Sequence, residues 1–170
     1  MRVGIVSDTH GLLRPELFER LAGVEHILHA GDLGDPELLL ELEALAPVTC
    51  VWGNTDGWEL RDRVPEVARV ELGGVRVVVQ HGHQLGSPTP AGLAREHPGA
   101  GLIVFGHTHR PLVERVGGAV VVNPGSAGPR RFRLPVTVAL ASLRAGEVEV
   151  RLLPLLEEGA VGDGGGAEGG

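Results

Sequence analysis

Three short apolar runs alternate with two segments of helical spacing across the first 52 residues. The runs are 2–6, 26–30 (His-Ile-Leu-His-Ala) and 47–52. The helical segments are 14–22, with Leu17, Phe18 and Leu21 on one face, and a Leu-rich stretch at 36–45 that Asp35 caps and Pro36 opens. Each apolar run is too short to be a buried helix and has the continuous hydrophobicity of a strand covered on both faces. Strands separated by helical crossovers lie parallel, so a chain that begins this way is constrained to a helix-covered sheet.

The pattern changes after residue 66. Residues 66–72 and 75–81 flank Gly73-Gly74, 111–116 and 119–123 flank Gly117-Gly118, and 135–143 and 147–153 flank Ala145-Gly146. Paired strand patterns around such dipeptides are hairpins. Between them Ser87-Pro88 opens a helix that runs to about His97, and 101–105 is one more strand. A parallel first half and a hairpin-rich second half predict an α/β sandwich of two sheets with helices on the outside.

A 170-residue chain with 42% hydrophobic and 22% charged residues has the size and composition of one soluble domain, with a core that needs no staples. One cysteine excludes an intrachain disulfide framework and a thiolate zinc cluster. No apolar run reaches the ~20 residues of a membrane-spanning helix, and the start carries no secretory leader pattern. The expected location is the cytoplasm. The net charge of −7 falls to −3 without Glu157, Glu158, Asp163 and Glu168. Residues 1–156 are therefore read as the domain and 157–170 as a Gly-rich, acidic, flexible tail. No basic face is evident, which argues against duplex nucleic acid as a partner.

Metal-capable side chains gather just beyond five of the expected strands: Ser7-Asp8-Thr9-His10, Gly31-Asp32, Gly53-Asn54-Thr55-Asp56, His81-Gly82-His83 and Gly106-His107-Thr108-His109. Each motif alone is weak, since Gly-Asp and Gly-Asn are turn residues far more often than ligands. Together they are not, because the opposite strand ends lack such residues, and ligands in open α/β sheets bind beyond the carboxyl ends of strands. Oxygen and imidazole donors without thiolate suit Mn²⁺, Fe, Zn²⁺, Co²⁺ or Ni²⁺.

In this order D-x-H, G-D, G-N-x-D, H-G-H and G-H-x-H resemble the calcineurin-like metallophosphoesterase superfamily. The short chain, with its His29–Asp32 and Asn123–Ser126 segments, is similar to the small YfcE-like phosphodiesterase branch. The resemblance covers roughly 1–154 and implies an αββα sandwich of two mixed sheets. It also implies a dinuclear centre, most simply of Mn²⁺. Asp8, His10 and His109 would hold one ion; Asn54, His81 and His107 would hold the other; Asp32 would bridge them. Two dications against two carboxylates leave a net-positive cavity suited to a phosphate anion. The implied reaction is hydrolysis of small phosphate esters, chiefly diesters, through attack by a metal-bridging hydroxide, with no protein nucleophile. The same fold resemblance carries two alternatives, a Vps29-like non-catalytic protein-binding scaffold and a phosphomonoesterase.

One position departs from the family. Thr55 stands where many members carry a His that helps protonate the leaving oxygen. Asp56, which would orient that His, is left to bond the loop or a ligand histidine. His83 could approach a leaving group or support its neighbours, and takes no firm role. Cys50 is expected to be a buried filler, His29 a packed or supporting histidine, His26 and His97 surface or helix-end residues, and Trp52 and Trp58 core or rim packing, with base stacking as the less favoured alternative. Asn123–Ser126 reads as structural. Arg130, Arg131 and Arg133 read as a solvated or intersubunit patch, with a phosphate clamp as the alternative; a homo-oligomer is therefore open.

Overall fold

The computed structural model describes residues 1–156; the tail expected over 157–170 lies outside the described residues. The elements run β1 (Arg2–Val6), α1 (Pro15–Arg20), β2 (His26–His29), α2 (Glu37–Glu43), β3 (Val48–Cys50), α3 (Trp58–Arg61), β4 (Val67–Leu72), β5 (Val75–Gln80), a 3₁₀ turn (His83–Leu85), α4 (Pro90–Glu96), β6 (Leu102–Val104), β7 (Leu112–Val116), β8 (Ala119–Asn123), β9 (Thr137–Arg144) and β10 (Glu147–Pro154). They build two five-stranded sheets, ordered β10-β9-β1-β2-β3 and β4-β5-β6-β8-β7. Both are mixed. β1, β2 and β3 pair in parallel, as do β5, β6 and β8, while the three hairpins supply the antiparallel edges. The αββα sandwich is the fold that the alternation and the hairpin signals predict.

Period-two alternation sorts the side chains into layers. Val3, Ile5, Val77, Val79, Leu102, Val104, Val120, Val122 and Ala139 fill the space between the sheets. Val6, Ile27 and Val138 face the other way, onto Leu17, Leu21, Leu38, Leu42 and Leu60 of the helical side. Val78, Ile103 and Val121 pack beneath Leu93 of α4. α1 lies close to the sheet because Gly4 has no side chain: a Cβ there would come within 2.6 Å of Leu21 Cδ2.

Some local expectations shift. α2 begins at Glu37, and Asp35 acts one residue outside it, its Oδ1 accepting the Glu37 N–H at 2.9 Å. α4 is opened by Thr89-Pro90 rather than Ser87-Pro88; the Thr89 hydroxyl accepts the Gly92 N–H at 3.1 Å. Two Ser/Thr-Pro pairs two residues apart are equivalent start signals, and the chain uses the second. α3 and the 3₁₀ turn are too short to show periodicity. Among the described residues no helix is long and apolar enough to cross a membrane.

His97 is not a surface residue. It caps the C-terminus of α4, as a helix-end residue should, but is buried and hydrogen-bonds through Nε2 to Gln80 Oε1. His26 sits half-buried in β2, its Nε2 2.8 Å from Thr49 Oγ1. His97→Ala leaves the buried Gln80 Oε1 without its partner, so we expect a loss of about 1–3 kcal/mol of stability. Turnover per folded molecule should stay at the wild-type value. Urea unfolding and a specific-activity assay at one temperature check both.

Candidate metal centre

Each chemistry-bearing loop leaves the carboxyl end of a strand. Asp8 and His10 follow β1, Asp32 follows β2, Asn54 follows β3, His81 follows β5, and His107 and His109 follow β6. Because β1–β2–β3 and β5–β6 are two parallel sets, one in each sheet, their carboxyl ends bring the loops together at one end of the sandwich.

The loops approach so closely that side chains are excluded at their glycines. A Cβ at Gly53 would collide with Asp32 Oδ1, and one at Gly106 would lie 2.6 Å from Asp8 Oδ2. The same crowding strains the ligand loops. Asp8, His10, Asp32, His107 and His109 all adopt positive φ, between 45° and 70°. Left-handed backbone at a non-glycine residue costs about 1–3 kcal/mol and persists where the surroundings over-determine it. Five such residues converging at one place mark a site selected for geometry at the expense of stability.

The donor atoms converge. His109 Nε2 lies 3.2 Å and His10 Nε2 3.7 Å from Asp8 Oδ1; the two imidazole nitrogens are 3.4 Å apart. His81 Nε2 is 3.1 Å from Asp32 Oδ2 and 3.9 Å from Asp8 Oδ1. Two sets, Asp8–His10–His109 and Asp8–Asp32–His81, each place one donor atom per residue within 4.8 Å of the others. Asp8 Oδ1 and His81 Nε2 are buried with no hydrogen-bond partner. Orphaned buried acceptors carry a cost that a bound cation removes, so the residues present fit a metal. His81 is held for this purpose: its Nδ1 donates to the Ala30 carbonyl at 2.8 Å, which leaves Nε2 as the inward-facing acceptor.

His107 joins through its backbone, donating N–H to Asp8 Oδ2 at 3.2 Å, and its ring meets that of His81 edge-on at 5.2 Å. Asn54 sits on the right loop with its side chain exposed. Its neighbours contact the cluster, Thr55 donating N–H to Asp32 Oδ1 at 3.0 Å. Burial alone would raise the Asp8 carboxyl. The His10 and His109 imidazoles close to its Oδ1 and the nearby His81 outweigh it and hold the group far below the carboxylate range. Asp32 likewise resists burial, through His81 and the Thr55 N–H, and sits at about 2. His81 is desolvated but moves up, because Asp32 and Asp8 face it. His107 moves down with burial.

Supporting residues hold this arrangement, among them Ser7, to which its motif assigns no role. Ser7 Oγ donates to Asp8 Oδ2 at 2.7 Å, and Ser126 Oγ to the Asp8 carbonyl at 2.9 Å. Asn123 Nδ2 donates to Gly106 O and Thr108 Oγ1, both at 3.0 Å. The Asn123–Ser126 segment is thus structural, as its sequence suggests, and it ties the first and fifth ligand loops together. Asp56 bonds loop backbone: it accepts from Gly53 at 2.8 Å, Gly34 at 3.0 Å and Leu33 at 3.3 Å, clamping the second loop to the third. His83 packs its ring 5.5 Å from both Trp52 and His81, and its buried Nδ1 has no partner. Cys50 is buried, and burial pushes its thiol up. Trp52 is half-buried beneath the Arg61 guanidinium, 4.4 Å from the ring centroid. Trp58 is exposed, a rim position rather than a core one.

His29 lies beneath the second loop, fully buried. Its Nδ1 accepts the Gly31 N–H at 3.1 Å, so its Nε2 carries the proton toward Thr9 Oγ1 at 3.0 Å. Burial lowers it to about 4. A depressed imidazole stabilises the fold in its neutral form, with the full contribution present above the unfolded value near 6.5 and lost as pH falls from there toward 4. The metal-free protein should lose about 3 kcal/mol over that window from this group. His29→Leu, less stable at pH 7, should show a slope shallower by that amount, the rest coming from His26, His83, His97 and His107, which are also lowered; chemical unfolding at several pH values measures it. The Asp32 contribution is lost separately, as pH falls below about 4, and that of His81 is present below 6.5 and lost as pH rises above it.

The calcineurin-like phosphoesterase superfamily domain matches residues 1–146. A probable metallophosphoesterase of Methanothermobacter thermautotrophicus is 37% identical over 147 residues, which span 82% of this chain and 85% of that one. A phosphodiesterase of Methanocaldococcus jannaschii is 30% identical over 146 residues, 74% of this chain and 83% of that one. Vps29 of Entamoeba histolytica, solved in complex with Zn²⁺, shares the fold with a TM-score of 0.73 at 24% identity, covering 92% of this chain and 100% of its own. Fold, donor set and similarity together define a metal-dependent hydrolase of phosphoric esters. The chain belongs to the calcineurin-like phosphoesterase superfamily, whose members use divalent metals.

Proposed function

We propose that this chain is a dimetal phosphodiesterase of the cytoplasm that hydrolyses small phosphate esters. The observation that carries the reading is the convergence of Asp8, His10, Asp32, His81 and His109 donor atoms around the orphaned Asp8 Oδ1 and His81 Nε2. Asp8, His10 and His109 would hold one ion and Asn54, His81 and His107 the other, with Asp32 as the carboxylate shared between them. Oxygen and imidazole donors without thiolate suit Mn²⁺, Fe, Zn²⁺, Co²⁺ or Ni²⁺, and Mn²⁺ is the ion we propose. The ions, when bound, supply Lewis acidity toward the phosphoryl oxygens and an activated water.

The protein's own part is to keep the donors deprotonated and aimed. Asp8 and Asp32 stay ionised at any working pH because their partners hold them low. The Ala30 carbonyl fixes the His81 tautomer, and Asp56 holds the Asn54 loop against the Asp32 loop. Thr55 offers Asp32 its backbone N–H and its hydroxyl, and that alcohol is too weak an acid to act as a proton donor near neutral pH. That favours diesters with good leaving groups. Metal analysis of the purified protein, then a panel of diesters and monoesters with added Mn²⁺, tests the reading. About two ions per chain and faster diester than monoester turnover are expected, and a metal-free or inert protein overturns it.

A further inference from the structure

Trp58 exposes 72% of its surface, more than any other large apolar side chain in the described residues. Leaving an indole in water forgoes one of the largest burial gains available to a side chain. The ring opens α3, two residues after Asp56, and walls a concavity of about 230 Å³ lined by Gly34, Pro36, Gly57, Trp58, Glu59 and Leu60.

The walls of this concavity belong to the segments that follow Asp32 and Asn54, two of the candidate ligands. Gly34 packs on the His10 loop so tightly that a Cβ would come within 2.6 Å of the His10 carbonyl carbon. Gly34 and Gly53 both donate to Asp56, which ties the two walls into one piece. The lining holds no basic side chain, so it is not built for phosphate. It offers instead a flat aromatic face, an apolar floor of Pro36 and Leu60, and one carboxylate, Glu59, that can accept a ring or amino N–H. Its volume suits a single ring system rather than a peptide.

We infer that Trp58 is the stacking platform of a subsite for a nucleobase, so that one ester arm of the natural diester is a nucleoside. The inference rests on the phosphodiesterase reading and names its substrate class. Base stacking on an aromatic side chain tolerates any base and is lost on truncation to alanine.

Two substrates that share a p-nitrophenolate leaving group test it, thymidine 5′-p-nitrophenyl phosphate and methyl p-nitrophenyl phosphate. Wild type should show a KM about ten-fold lower for the thymidine ester. Trp58→Ala should bring the two KM values together with kcat retained, and Trp58→Phe should restore most of the difference. An unchanged ratio in Trp58→Ala, or an equal rise for both esters, overturns the subsite. Calorimetric titration of the Zn²⁺-loaded full chain with thymidine 5′-phosphate and with inorganic phosphate gives a readout free of turnover. The nucleotide should bind roughly ten-fold tighter to wild type and no tighter than phosphate to Trp58→Ala. If wild type hydrolyses neither diester, the phosphodiesterase reading falls while the titration still decides the subsite; equal binding of nucleotide and phosphate to wild type rejects it.

Discussion

Asp32→Ala is expected to abolish turnover, by at least about a thousand-fold, and to empty the metal centre. Asp32 faces both His81, at 3.1 Å, and His10, at 3.8 Å; Asp8 faces the same two rings at 3.9 and 3.7 Å, and removing either carboxylate halves the negative charge that the cluster offers to cations. Without Asp32 the Thr55 N–H also loses its acceptor. Asp35→Ala is the control, since it removes the same charge three residues away and costs only a cap, about 1 kcal/mol. Metal content by mass spectrometry and diester turnover are read for both, with circular dichroism to establish folding. An Asp32→Ala protein that keeps its metal and its rate would remove Asp32 from the centre.

The second large effect concerns the leaving group. With Thr55 at the position of a proton donor, the departing oxygen leaves largely unprotonated, so rates should fall steeply as its pKa rises. Aryl diesters should outrun alkyl ones by a factor approaching the ~10²–10⁴ that a positioned acid supplies. Thr55→His should recover no more than about ten-fold of this for alkyl leaving groups. The reason lies in Asp56: its carboxylate is already occupied by the Leu33, Gly34 and Gly53 amides, so it has little capacity left to orient a new imidazole. A rate series over graded leaving groups at matched metal occupancy measures both slopes. A flat wild-type series, with chemistry rate-limiting, would point to His83, whose buried Nδ1 is without a partner beside the His81 ring.

Most of the architecture was legible because its signals are local. Continuous apolar runs, two-residue turn signals and Pro-opened helices depend on neighbours within a few residues, and each of the three hairpins forms where its turn dipeptide stands. The errors were local ambiguities, as at Thr89-Pro90, or elements too short to have a period, as at α3.

The candidate site divides differently. The sequence by itself determined which donors exist, their order, and their positions just beyond strand ends, because a strand's direction and a motif's residue types are properties of the chain. The tertiary structure decided everything that depends on two segments meeting. Five ligand-loop residues take left-handed backbone because opposing loops crowd them, though aspartate and histidine carry no such requirement. Asp56 is committed to amides from two loops rather than to a histidine. His97 is buried against Gln80, seventeen residues away. Trp58, as apolar as any core residue, is left in the open. A residue's hydrophobicity sets what burial would be worth, but whether a surface exists to bury it is settled only when distant segments pack.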